Sequence, residues 1–320
     1  MSSNTTVRGI ILCLLPPLFW GGMFPIANHL SETVNMFMMT LIRYSIVALI
    51  LTAMLLGSEG KSSFRVEGYG WRLAALGASG FAGFGLLAFT ALSYTSPSNV
   101  SLIMAMMPSI GAIIASISAK RLPPVYTVVA IVVAFIGVSL VLTNGDYSSV
   151  VSVDEIWGEL LALLGAICWV VYTRGATMVP SWSILRYTTI TTMLGVPAIA
   201  VATIVATEVG YVTNPTLHDV FSGWLELGYL IVFAGVIAVL AWNKGNRIIG
   251  SINGTLFMNI VPVTTFTIMA FITATPPPTP ALTGMMLVIG GLTLNNFFTR
   301  RKLSQNLSKN CVGKVRQTVR

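Results

Sequence analysis

Trp242 to Pro262, WNKGNRIIGSINGTLFMNIVP, is the stretch whose reading decides the fold. It ends one apolar run, turns through the basic residues Lys244 and Arg247, and begins another. The new run carries Asn253, Thr255 and Asn259 before it reaches Pro262. A second version lies upstream: Asn99, Leu102, Met104 and Pro108 match Asn253, Leu256, Met258 and Pro262 at a constant offset of 154 residues. Apolar runs that recur with the same polar and proline punctuation indicate a repeated membrane-spanning unit.

Composition agrees. The chain is 55% hydrophobic and only 9% charged, whereas a soluble domain has about a quarter of its residues charged. Counting apolar runs of about 20 residues, enough to cross a ~30 Å hydrocarbon layer, gives spans at 9–29, 36–56, 72–92, 98–118, 124–143, 157–178, 184–206, 224–244, 252–273 and 280–299. The runs are continuous, which excludes a β-barrel of alternating segments. The first is read as a transmembrane helix and not a signal peptide, because Pro16 and Pro17 interrupt it and no small-residue cleavage site follows.

The net charge of +8 is a topology signal. With the N-terminus inside, Arg8, Lys61, Arg65, Arg72, Lys120, Arg121, Arg174, Lys244, Arg247 and the seven basic residues from Arg300 to Arg320 all fall on one side. The opposite side holds Glu32, Asp146, Asp154, Glu155, Glu159, Glu208, Asp219 and Glu226. This one-sidedness is the positive-inside rule. It places both termini in the cytoplasm, assigns the basic tail 300–320 to anionic headgroups, and disposes of nucleic acid as a partner. Cys13, Cys168 and Cys311 form no CxxC and stand near no His cluster, so neither a disulfide framework nor a metal site is expected, and no cofactor. His29 and His218 are isolated and read as solvated.

Further offsets extend the repeat. Gly9 to Trp20 aligns with Gly158 to Trp169, Arg43-Tyr44 with Arg186-Tyr187, Trp71 with Trp224, and Gly137-Val-Ser-Leu with Gly291-Leu-Thr-Leu. Two five-helix halves, 9–143 and 157–299, follow. Five is odd, so the second half enters from the opposite side: an all-α integral membrane fold of ten helices in two inverted repeats.

PPLFWGGMFP in span 1, SYTSPSNVSLIMAMMP leading into span 4 and the stretch at spans 8–9 resemble the EamA family of the drug/metabolite transporter superfamily, over 9–299. The resemblance implies export of small metabolites such as amino acids across a bacterial inner membrane by alternating access. One feature departs from the family pattern. Where a Glu often stands at the ends of spans 4 and 9, this chain has Lys120-Arg121-Leu122-Pro123 and Thr273-Ala274-Thr275-Pro276.

The candidate substrate-binding residues are Trp20, Arg43, Asn99, Trp169, Tyr172, Trp242, Asn253 and Asn259, because polar and ionisable groups inside a bilayer are costly unless they serve a purpose. Trp20 and Trp169 occupy equivalent mid-span positions. Two such faces would make an aromatic-lined pocket, or simply pack helix on helix. Arg43 reads either as a counter-charge for a substrate carboxylate or as a donor to a backbone carbonyl that fixes span 2. Arg186 reads as a snorkelling anchor. Asn99, Asn253 and Asn259 would face the cavity or bond between helices. Trp242 and Asn243 would line a cytoplasmic vestibule. Paired Pro108 and Pro262 would kink spans 4 and 9, and the small residues from Gly77 to Gly85 would allow close packing.

The expected partners are a small-molecule substrate and membrane lipid, as monomer or dimer. No nucleophile, base or metal constellation of an enzyme is present. With no carboxylate or histidine at mid-depth, the sequence points to uniport or exchange, or to a proton path that uses no buried carboxylate. A passive channel is the alternative reading.

Overall fold

The computed structural model describes residues 3–146, 152–250, 254–291, 293–295, 297–298 and 301. Among the described residues it is all-helical, with no strand. Lipid offers a backbone no hydrogen bonds, and a helix satisfies its own. Seven helices are long and apolar enough to cross a membrane: α1 (Thr5–Leu30), α2 (Met36–Glu59), α3 (Gly70–Ala91), α4 (Pro97–Ser118), and then Val153–Met178, Ile184–Glu208 and Trp224–Ile249. Three shorter apolar helices are Val125–Val141, Phe257–Thr273 and Thr279–Asn295. In chain order these complete the set as α5 (Val125–Val141), α6 (Val153–Met178), α7 (Ile184–Glu208), α8 (Trp224–Ile249), α9 (Phe257–Thr273) and α10 (Thr279–Asn295). The basic tail, apart from Arg301, and Cys311 lie outside the described residues.

Caps set the helix starts. Ser152 and Glu155 form a reciprocal capping box at α6, and Asn35, Ser96 and Ser183 accept from backbone N–H groups at α2, α4 and α7. Each bond satisfies a donor that the helix start leaves without a partner.

The core lies between the two halves of the chain. α1 packs along α8 and α9, α6 along α3 and α4, α2 along α7, α4 along α9. Small residues permit this. A Cβ at Gly195 of α7 would lie 2.6 Å from the Gly77 carbonyl of α3, and one at Gly137 of α5 would lie 2.6 Å from the Gly284 carbonyl of α10. Thr265 of α9 donates to the Gly21 carbonyl of α1 at 2.8 Å. The outer faces are apolar: Leu49, Val201 and Phe271 are exposed, as lipid-facing side chains are.

The structure adds two irregularities. π-helical turns occupy Ala78–Gly83 in α3 and Tyr229–Ile237 in α8. The Trp71-to-Trp224 offset carries 78–83 onto 231–236, inside the second of them. The other concerns the prolines. α4 is broken at Ala105–Met106, and α9 enters through a 3₁₀ turn at Thr255–Asn259. Pro108 and Pro262 each stand in the first turn of the α-segment that follows, Met107–Ser118 or Ile260–Thr273. The expected kinks are therefore breaks, two to three residues before Pro108 and, at the 3₁₀ turn, ending three residues before Pro262. A proline lacks an N–H and its ring collides with the carbonyl four residues back, so it is tolerated in the first turn of a helix and the α-helix restarts one or two residues before it.

Candidate functional site

Trp20 and Trp169, equivalent in the sequence halves, meet edge-on at the centre of the bundle with ring centroids 5.5 Å apart. Trp242 of α8 packs against Trp20 from the other side at 5.5 Å, and Phe84 of α3 against Trp169 at 5.1 Å. Trp20, Trp169 and Phe84, without Trp242, line a void completed by Met23 and Phe24 of α1, Met104 and Met107 of α4, and Met258 and Val261 of α9. Its volume is about 10 Å³, room for about one water. Its wall is aromatic and thioether, a surface that adapts its shape and attracts flat or cationic groups. A larger groove of about 690 Å³ runs along α7 between Phe37 and Tyr211. It is open and its walls include the exposed Val201 and Val205, so it belongs to the lipid-facing surface.

The π-helical stretch of α8 anchors two of the candidate residues. Trp20 Nε1 donates to the Ala234 carbonyl at 3.1 Å, and Arg43 Nε to the Leu230 carbonyl at 3.0 Å. Arg43 is only 1% exposed. Its Nη2 reaches Met23 Sδ at 3.3 Å, directly behind the void, and its Cζ lies over the rings of Tyr44 and Phe89 at 4.8 and 5.3 Å. Its Nη1 has no partner among the described residues. Both alternatives for Arg43 thus have a physical basis: one nitrogen fixes α2 to α8, and one remains for a ligand.

Tyr172 does not line the void. It packs on Trp169 at 5.1 Å and stacks on Tyr187 at 5.5 Å, and its hydroxyl receives Asn243 Nδ2 at 3.3 Å. Asn243 also reaches Thr188 Oγ1 at 3.0 Å. Trp242, expected in an open vestibule, is 1% exposed, and that route is filled by the Trp242–Asn243–Tyr172 group. Asn99 donates to Thr95 Oγ1 at 3.0 Å and does not face the void. Asn259 is buried and makes a long 3.5 Å contact with Thr293 of α10. Asn253 lies outside the described residues.

Both ends of the bundle carry ties between the halves. At the basic end Arg186 pairs with Glu67 at 2.6 Å, donates to the Arg65 carbonyl at 2.7 Å, and stacks 3.8 Å over Trp182. It is a latch between the start of α7 and the α2–α3 loop more than a snorkelling anchor. Trp182 Nε1 donates to Glu67 at 3.0 Å, and Arg247 to the Trp182 carbonyl at 2.7 Å. The Trp182 indole and then the Arg186 guanidinium hold the Glu67 carboxyl below the usual carboxylate range. At the acidic end Tyr94 pairs with Tyr211 at 3.1 Å, Asn35 with the Thr213 carbonyl at 2.6 Å, and Thr95 with Glu159 at 2.9 Å. His29 is solvated, as expected, but not isolated: it stands 3.3 Å from Glu226.

The EamA-like transporter family model matches this chain twice, over residues 7–143 and 156–297. The chain belongs to the EamA-like transporter family. Two relatives from Bacillus subtilis (strain 168) are similar over most of their length. "Uncharacterized transporter YrdR" is 35% identical over 310 residues, 94% of this chain and 95% of that protein. "Uncharacterized transporter YyaM" is 30% identical over 276 residues, 86% of this chain and 89% of that protein. A solved crystal structure shares the fold with a TM-score of 0.66 at 19% identity, covering 94% of this chain and 99% of the other. Family and relatives together make this a multi-pass membrane transporter.

In this EamA-like transporter the sequence reading found the tryptophan pair but missed the methionine wall. The signal was present: Met104 and Met258 are two of the four identities in the repeated stretch. The burial of Glu159, at 9% exposure, was also missed. It follows from the α3–α4 turn folding over α6, where a Cβ on Gly158 would lie 2.9 Å from Tyr94 Cβ.

Proposed function

We propose that this chain is a secondary transporter that exports a small metabolite with an apolar or aromatic body and a carboxylate, an amino acid or a related compound. The observation that carries the reading is the aromatic and methionine-lined void at the junction of the two halves, with the free Nη1 of a buried arginine behind it. An apolar body would lie against Trp20, Trp169 and the methionines, and a carboxylate would draw the Arg43 guanidinium past Met23. The void holds about one water, so substrate must open it. Ties between halves at both ends are what alternating access would break in turn.

The same reading takes the chain as ten helices in two inverted five-helix repeats, 9–143 and 157–299. Support comes from the double family match, the matched π-helical turns, and the exchange of partners: α1 with α8 mirrors α6 with α3. It places the protein in a bacterial inner membrane with cytoplasmic termini, from the charge asymmetry. Export is the direction the family resemblance implies. The test is solute efflux from preloaded proteoliposomes, using a mixture of amino acids and related carboxylates. Selective, saturable efflux that shows counterflow supports the proposal. Non-saturating efflux without counterflow means a channel instead.

A further inference from the structure

Among the described carboxylates, only Glu159 is buried. It stands on the face of α6 that carries Ala162, Ala166 and Trp169, all buried. Trp169 is ten residues further on, about 15 Å along the helix. That face meets the first half of the chain. A Cβ at Gly165 would touch the Ala88 backbone at 3.3 Å, and one at Gly158 would meet Tyr94 Cβ at 2.9 Å and Thr95 Cβ at 3.1 Å. Glu159 therefore occupies the seam between halves on the acidic side of the central void.

Its bonds are unequal. Thr95 Oγ1 donates to Oε1 at 2.9 Å, and Asn99 Nδ2 supports Thr95 Oγ1 at 3.0 Å. Oε2 has no partner among the described residues. The ionisable groups around it supply no cation. Glu155, one turn earlier on α6, is turned to the Ser152 backbone N–H and hydroxyl, each at 3.1 Å. Tyr94 from the α3–α4 turn is paired with Tyr211. The ion pairs of the described residues lie elsewhere. A carboxylate withdrawn from water without a counter-charge is costly, and it escapes the cost by binding a proton or a cation. Oε2 is itself buried and without a partner among the described residues, and a proton is the counter-charge that needs no further ligands there.

We propose that Glu159 is the proton-carrying group of the transport cycle. With the acidic-end seam closed, the proton sits on Oε2. When α6 parts from the α3–α4 turn, water reaches Glu159, the Oε2–H bond breaks, and the proton passes to water on that side. Oε1 keeps the hydrogen bond from Thr95. Opening on the acidic side is thus tied to proton release, and closing to proton uptake. The coupling rests on the transporter reading; the titration of Glu159 does not. This replaces the expectation of uniport or exchange, which rested on the lack of a carboxylate at mid-depth.

The experiment is infrared difference spectroscopy of the full chain in lipid vesicles without added solute, titrated from about pH 4 to 9, the range that spans carboxylate and histidine chemistry. The expected result is a protonated-carboxyl C=O band that titrates in the wild type and is lost, one carboxyl per chain, in Glu159→Gln. Thr95→Val, which keeps the side-chain shape, should retain the band and move its midpoint. A band of equal amplitude in wild type and Glu159→Gln overturns the proposal, as does a wild type with no titrating carboxyl. Once a solute is known, Glu159→Gln should lose transport driven by a pH gradient and keep exchange at equal pH. Full gradient-driven transport by the variant would also overturn it.

Discussion

Replacing Trp20 with alanine tests whether the central rings are a packed junction. In lipid the water-to-core transfer term is absent, so helix association rests on packing and hydrogen bonds. Trp20 is 6% exposed, meets two indoles at 5.5 Å each and donates to the Ala234 carbonyl at 3.1 Å. Removing the indole leaves a void of about 140 Å³, which at roughly 24 cal/mol per Å³ destabilises by about 3 kcal/mol. The lost hydrogen bond adds about 0.6 kcal/mol. Trp20→Phe keeps most of the ring and should lose only about 1 kcal/mol. The assay is reversible unfolding in mixed micelles followed by circular dichroism. The enlarged void is apolar, so benzene should bind it and restore part of the loss in Trp20→Ala. A cost below about 1 kcal/mol for alanine, equal to that of phenylalanine and unmoved by benzene, would refute a packed centre.

Arg43→Met replaces a buried charge with an apolar chain of similar length; unfolding free energy should fall by less than about 1 kcal/mol or rise, while competition of carboxylate solutes for transport disappears. Gly195→Leu forces α7 away from the Gly77 carbonyl of α3 and should destabilise by about 1–3 kcal/mol in the same unfolding assay. The Glu67 carboxyl is held below its ordinary value of 4.5 in the folded protein, so its latch is fully present above that value and is lost as pH falls through the lower folded one. Proteolysis of the α2–α3 loop should rise in that acid window in the wild type, and at neutral pH in Glu67→Gln.

The helical spans were legible because a bilayer demands long apolar runs, and the tryptophan pair because Trp20 and Trp169 end the aligned stretches 9–20 and 158–169. Other features arise only when elements meet. Tyr172, three residues from Trp169, packs on it and also stacks on Tyr187 of α7, a partner set only by how α6 and α7 meet. The π-helical turns have no local signature; the one in α8 offers the Leu230 and Ala234 carbonyls to Arg43 and Trp20 across the bundle. Asn99 was read as facing a cavity or a neighbouring helix; its amide is engaged by Thr95, one turn back along its own segment. Glu159 read as a helix-end acid because sequence position says nothing about the turn that covers it.

The most direct measurement is efflux from proteoliposomes loaded with mixed amino acids and related metabolites, comparing the intact protein with the double variant Trp20→Ala, Trp169→Ala. The account predicts that one chemical class leaves selectively through the intact protein and that the double variant, still folded by circular dichroism, abolishes it. Selective efflux that the double variant leaves unchanged would contradict a substrate path through the central rings.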